Sequence, residues 1–194
     1  MLKRLKVFLD EHEIIRNSEA ESLGVSRAVL CNLVAEGRLQ RLAQGVYALP
    51  EMLPDELVLI AGRSPNIVFS HETALSLHQL HNRIPDKPTL TLPQTCRTPH
   101  SIADAVKVYR VKSENHDLGR TEVNSFLGHK VPCYDPERTI CDIIRSYSRI
   151  DIETYTNALR TYVKSPVRNL PRLMAYARAL GMEKKVHNKL EVLL

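Results

Sequence analysis

Three groups of side chains in this sequence have the types and spacing to do chemistry. The first is Arg27 with Asn32, followed by Arg38, Arg41 and Gln44. An arginine can donate two hydrogen bonds to one guanine, and an asparagine amide can pair with adenine. Arginine and glutamine also suit phosphate oxygens, which fix position without specifying sequence. This group points to duplex DNA. The second group is Ser70-His71-Glu72 with His78 and His81. On a helix His71 and His78 would share a face with His81 to one side, a partial set of metal ligands. The spacing is not HExxH, because Thr73-Ala74-Leu75 follows Glu72. A polar helix edge with Ser70 as its cap and surface histidines accounts for the same residues. The third group is Cys133 with His129, on a strand and turn, with no third group to orient a nucleophile. The sequence contains no P-loop, GxGxxG or GxSxG. No catalytic residue, metal ligand or cofactor is expected, and the chain does not read as an enzyme.

The first group needs a scaffold, and the stretch from Ser18 to Leu49 supplies one. Ser18 with Glu21 three residues later predicts a capping box at the start of a helix. Gly24 ends that helix, Val25 plugs the core, and Ser26 caps a second helix from Arg27 to Glu36. At about 100° per residue, Val29, Leu30, Leu33 and Val34 share one side. Arg27, Ala28, Cys31, Asn32 and Ala35 share the other, where small residues allow close approach to a major groove. Gly37 ends this helix. Arg38 to Leu42 and Val46 to Leu49 read as strands joined by the turn Ala43-Gln44-Gly45, a wing closed by Pro50. Leu2 to Glu13 forms an amphipathic first helix through Leu2, Leu5, Phe8 and Leu9, and Ile14-Ile15 predicts a strand beside the wing. Residues 1–53 therefore predict a winged helix-turn-helix. Its expected DNA contacts are Ser26, Arg27, Asn32, Arg38, Arg41 and Gln44.

Met52-Leu53-Pro54 reads as a linker into a second domain, residues 54–194. Asp55 caps a short helix, Ile67-Val68-Phe69 is a buried strand or the start of a helix, and Ser70 to Leu80 is helical. The period then changes. Lys87 to Leu92, Ala105 to Val111, Thr121 to Phe126 and Lys130 to Cys133 read as strands. Asp135-Pro136 opens a helix with Pro at its first position. Helices follow from Ile152 to Val163, Asn169 to Leu180 and Met182 to Leu194. The fold class is α+β: a winged domain, then a mixed α/β domain ending in helices.

Charge separates these two parts. Residues 1–53 carry seven basic and seven acidic side chains, so modest non-specific DNA affinity is expected of them. From Arg160 onward, Arg160, Lys164, Arg168, Arg172, Arg178, Lys184, Lys185 and Lys189 face only Glu183 and Glu191. That excess suits either a solvated helical surface or one for nucleic acid or an acidic partner. The four cysteines form no CxxC and are expected to be free thiols in a reducing cytosol. The basic N-terminus lacks a signal-peptide apolar core, and no apolar run approaches a bilayer's thickness. A cytoplasmic protein without a membrane partner is expected.

With these residues in view, the chain resembles the AbiEi family of antitoxins, regulators from bacterial type IV toxin–antitoxin pairs linked to phage abortive infection. Three stretches carry the resemblance in order: LGVSRAVLCNLVAEGRLQRLAQGVYALP, VFSHETALSLHQL and, after the strand region, YDPERTICDIIR. The final helices match only in character. The resemblance implies a winged domain that represses its own operon by binding inverted repeats in the promoter. It also implies a C-terminal domain that neutralises a nucleotidyltransferase-like toxin without requiring a stable complex. One winged domain per chain implies a dimer or a cooperative pair on two half-sites. The winged-domain roles carry over to Arg27, Asn32, Arg38 and Arg41 by position, and the His71-Glu72 stretch becomes structural. Two other classes fit parts of the sequence: a winged protein-interaction module without sequence-specific DNA binding, and a metal-dependent enzyme using His71, Glu72 and His78.

Overall fold

The computed structural model describes residues 2–51 and 55–191. The chain forms two compact units, Met1–Pro65 with Ser125–Lys130, and Asn66–Asn124 with Val131–Leu194. The expected linker Met52-Leu53-Pro54, the side chain of Leu2 and the expected end of the last helix at Leu194 lie outside the described residues.

The first unit contains α1 (Leu2–His12), β1 (Ile14–Arg16), α2 (Asn17–Ser22), α3 (Arg27–Ala35), β2 (Gln40–Ala43), β3 (Val46–Ala48) and α4 (Glu56–Ala61). The strands form one antiparallel sheet in the order β1-β3-β2. Ile14 and Ile15 pair with Ala48 and Tyr47, so the short strand after α1 does join the wing. Leu5, Leu9, Ile15, Ala20, Val25, Leu30, Leu33, Leu39 and Tyr47 form the core. This is the winged helix-turn-helix arrangement.

Two local details differ from expectation. Helix α2 begins at Asn17, and its cap is Arg16, whose backbone N–H donates to the Glu19 carboxylate at 2.7 Å. Ser18 and Glu21 therefore do not form the capping box. The cause is β1: pairing with β3 holds the chain to Arg16, and the Asn17 N–H donates to the Gly45 carbonyl, so the helix starts earlier. Ser26 does occupy the cap position of α3, but its hydroxyl makes no capping bond.

The second unit holds β4 (Val68–Phe69), α5 (His71–Leu77), β5 (Thr89–Pro93), β6 (Lys107–Val111), β7 (Arg120–Asn124), β8 (Lys130–Tyr134), α6 (Pro136–Arg145), α7 (Ile152–Lys164), α8 (Leu170–Ala179) and α9 (Glu183–Glu191). Its five-stranded sheet has the order β6-β5-β4-β8-β7. β4 and β5 are antiparallel, whereas β5–β6 and β4–β8 are parallel. Helix α6 packs against α5, α7, α8 and α9. Ile140, Ile143, Ile144, Leu159, Leu173 and Val186 lie at the centre of that helical core. Asp135, Asp151 and Asn169 cap α6, α7 and α8 with side-chain acceptors at 2.8–2.9 Å. Helix α5 stops at Leu77, short of the expected Leu80.

Candidate nucleic-acid interface

The turn between α2 and α3 fixes the candidate reading helix. Gly24 adopts φ +76°, a left-handed conformation that suits glycine. Its N–H donates to the Glu21 carbonyl and that of Val25 to Ala20, closing the end of α2. Val25 is fully buried and anchors the turn in the core. Helix α3 then buries Leu30 and Leu33, while Val29 and Val34 are partly covered. Arg27, Ala28, Cys31, Asn32 and Ala35 are all exposed.

The six expected contact residues are exposed, but their freedom differs. Arg27 in the first turn and Asn32 one turn later have no side-chain hydrogen bond or ion pair among the described residues. Both can therefore meet a ligand without breaking an internal contact. Arg38 follows Gly37, and its guanidinium lies 3.6 Å from Glu36, with both side chains more than half exposed. A pair that exposed is weak and leaves the cation available. On the wing, the Arg41 Nε donates to the Ala43 carbonyl at 3.3 Å, which steadies the side chain at the β2 bulge. Gln44 stands at the wing tip beside Gly45. Ser26 lies at the start of α3 with its hydroxyl unused by the helix.

The eight basic residues of the last helices are also exposed, on α7, α8, α9 and the loop between α7 and α8. They do not contribute equal free charge. Arg178 is tied to Glu183 at 2.8 Å, and Arg172 lies 4.0 Å from the buried Glu137. Arg168 donates to the Ser165 carbonyl, and Lys189 lies 5.8 Å from the centre of the Tyr147 ring. Arg160, Lys164, Lys184 and Lys185 have no such partner among the described residues.

The histidine cluster takes a form that the sequence did not suggest. His71 is buried rather than at the surface, with φ 48°. Its Nδ1 lies 2.9 Å from the Ser70 hydroxyl and its Nε2 3.0 Å from that of Ser146. Its ring stacks on Tyr109 with centroids 3.4 Å apart. Ser70 makes no capping bond, because its hydroxyl also accepts from Thr91. Burial, followed by the charges of Lys107, Arg138, Arg149 and Arg145, lowers the imidazole pKa well below its ordinary value. His78 bonds the Tyr134 carbonyl at 2.7 Å, and His81 accepts from the Arg83 N–H. These three rings thus serve three separate contacts. No group of three His, Cys, Asp or Glu side chains among the described residues is placed to hold a metal.

Cys133 and His129 are likewise committed elsewhere. Burial pushes the Cys133 thiol pKa up, which disfavours the thiolate a nucleophile needs. In the first unit, His129 Nδ1 lies 2.9 Å from Asp55 and Nε2 3.3 Å from Glu13. Asp55 also caps α4 and accepts from Ser125. This network, buried at Asp55, Ser125 and His129 and ending on the exposed Glu13, had no signal in the sequence, where its members lie up to 116 residues apart. All four cysteines are free thiols, with Cys31 exposed on α3. No helix among the described residues is long and apolar enough to cross a membrane.

Residues 5–50 match the AbiEi family. Its model is described as a transcriptional regulator, AbiEi antitoxin. The AbiEi match runs from within α1 to the end of the wing hairpin, so it takes in α3 and every expected DNA contact. It supports a general antitoxin and regulatory role for the chain, and the matched family is one of regulators. A comparison with curated proteins gives no match. Among solved structures, similarity is found to the crystal structure of the RV2827C protein from Mycobacterium tuberculosis. That likeness covers 97% of this chain and 80% of the other at 16% identity, with a TM-score of 0.48. It is too distant to bear on fold or function.

Proposed function

We propose that this protein is an antitoxin that represses its own operon. The winged unit binds inverted repeats in the promoter, and the second unit neutralises a companion nucleotidyltransferase-like toxin without a stable complex. The observation that supports this most is the outer face of α3. It presents Arg27 and Asn32 without internal partners, within a segment that matches AbiEi regulators. On this reading Arg27 and Asn32 contact base edges, while Ser26, Arg38, Arg41 and Gln44 hold phosphates. The basic residues of α7 to α9, with Arg168, add a DNA or antitoxin surface. The protein works in the cytoplasm as part of phage defence.

The balanced charge of residues 1–53 favours a second reading, a winged module that binds protein. Anisotropy titration separates the two. Labelled duplex from the region upstream of the protein's own operon is compared with a scrambled duplex at several salt concentrations. Selective binding to the upstream duplex is expected. Equal, weak binding to both would reject the repressor reading in favour of the protein-binding module.

A further inference from the structure

Helix α1 has a face that the core does not use. Leu5 and Leu9 are buried, at 3% and 2% exposure, and fix one side inward. At about 100° per residue, Val7 lies at the middle of the opposite side. It is 57% exposed. Lys3 and Asp10 flank it on one edge, and Arg4 and Glu11 on the other. All four charged residues are exposed. Lys3, Arg4 and Asp10 have no ion pair among the described residues, and Glu11 has only a 4.0 Å contact with the exposed His12.

We propose that this face is the contact between two copies of the chain, with their α1 helices antiparallel across a two-fold axis at Val7. In an antiparallel helix pair the same edge of each helix meets. Lys3 of one copy then faces Asp10 of the second, and Arg4 faces Glu11. Symmetry repeats both pairs, giving four opposite-charge contacts around a Val7–Val7 centre. A parallel pairing would set Lys3 near Arg4 and Asp10 near Glu11, like against like. The charge order therefore selects one orientation and one occupant, a second copy.

The contact is small. The 11 residues of α1 span about 16 Å at 1.5 Å per residue. One face of a helix that short covers less than the roughly 1,200 Å² that a stable interface buries. The pairing acts where two copies are already held side by side, at an effective concentration that can reach about millimolar. It thus rests on the reading that two copies occupy adjacent half-sites, and it supplies their cooperativity.

The test uses the full chain with two charge-reversed variants, Lys3→Glu/Arg4→Glu and Asp10→Lys/Glu11→Lys. Binding is measured on a duplex with one half-site and on one with two, and cooperativity is taken as the ratio. Each variant alone is expected to lose cooperativity by about tenfold, within the usual range of coupling between sites. An equimolar mixture of the two is expected to restore it. Unchanged cooperativity, or no recovery in the mixture, would overturn the proposal. A second measurement needs no DNA, so failure of the repressor reading stays distinguishable. Val7→Cys in a Cys31→Ser/Cys96→Ser background is treated with a short bis-maleimide at high protein concentration. A linked dimer that disappears with Lys3→Glu/Arg4→Glu supports the contact. No linked dimer, or equal linking with the reversed charges, rejects it.

Discussion

Helices α3 and α6 are similar as sequences and opposite as structures. They have nine and ten residues, each follows a capping-type residue, and each carries an arginine in its first turn. In α3 the arginine, Arg27, is exposed and unpartnered among the described residues. In α6 the arginine, Arg138, is fully buried. Its Nε donates to Asp142 at 3.1 Å, and Nη1 donates to the carbonyls of Asn115 and Leu118. Its guanidinium lies 4.1 Å from the centre of the Tyr134 ring. Gly119 makes room for it, since a Cβ there would come within 2.5 Å of the Arg138 Cβ. A charge with every partner inside the protein holds the fold, whereas one left without partners is free for a ligand.

Stability measurements can break that contrast. Arg138→Ala leaves Asp142 charged and buried without its partner, a loss of about 3–5 kcal/mol. Urea unfolding of the full chain should show it, and replacing both residues, as Arg138→Met/Asp142→Leu, should recover the part due to the unpaired Asp142 but not the part due to the carbonyls of Asn115 and Leu118. A loss below 1 kcal/mol for Arg138→Ala, on the order of a surface change, would remove the distinction.

The buried imidazole of His71 makes a second test in the same unit. Below its ordinary value of 6.5 the unfolded chain takes up a proton that the folded ring resists. Stability from the neutral ring is therefore complete above pH 6.5 and falls as pH drops toward the lowered folded value. His116 is shifted in the same sense. The fall between pH 7.5 and 5.5 should be shallower in His71→Gln, and equal slopes would show that the ring titrates freely.

The remaining predictions concern the exposed residues. Arg27→Ala should cost about 1–3 kcal/mol at the operator and relax base preference. Its unfolding should stay within about 0.5 kcal/mol of the parent, as expected at an exposed site. Unchanged binding with unchanged preference would sink the base-reading role. The smallest effect is expected for Arg41→Ala, whose internal bond at 3.3 Å is already modest. Affinity should fall nearly uniformly across sequences, with the salt slope shallower by about one. A loss confined to one base position would contradict a phosphate contact.

Much of the winged unit was legible because its signals are local. Gly24, Val25 and the 3.6-residue period of Leu30 and Leu33 act within a few residues of one another. The same holds for the Pro136 start of α6. The misplaced cap of α2 shows the limit. Ser18 and Glu21 have the right types and spacing, but the start of the helix is set by β1 pairing with a strand 30 residues away. The histidines show it more sharply. His71 reads as a surface residue on a helix, and only Ser146, 75 residues on, and Tyr109 make it a core residue.

By itself the sequence determined the order of elements, the turn that sets α3, and which residue types lie on its outer face. Periodicity, glycine conformations and helix caps are short-range effects, so they are written in consecutive residues. Tertiary structure alone decided which charges are spent inside the protein. The link from Asp55 to His129 and Glu13, the burial of Arg138 and the strained His71 each join residues distant in sequence. Asp142, the charge partner of Arg138, lies one turn along the same helix, but the carbonyls of Asn115 and Leu118 reach that guanidinium only through long-range packing, and no local pattern records that meeting.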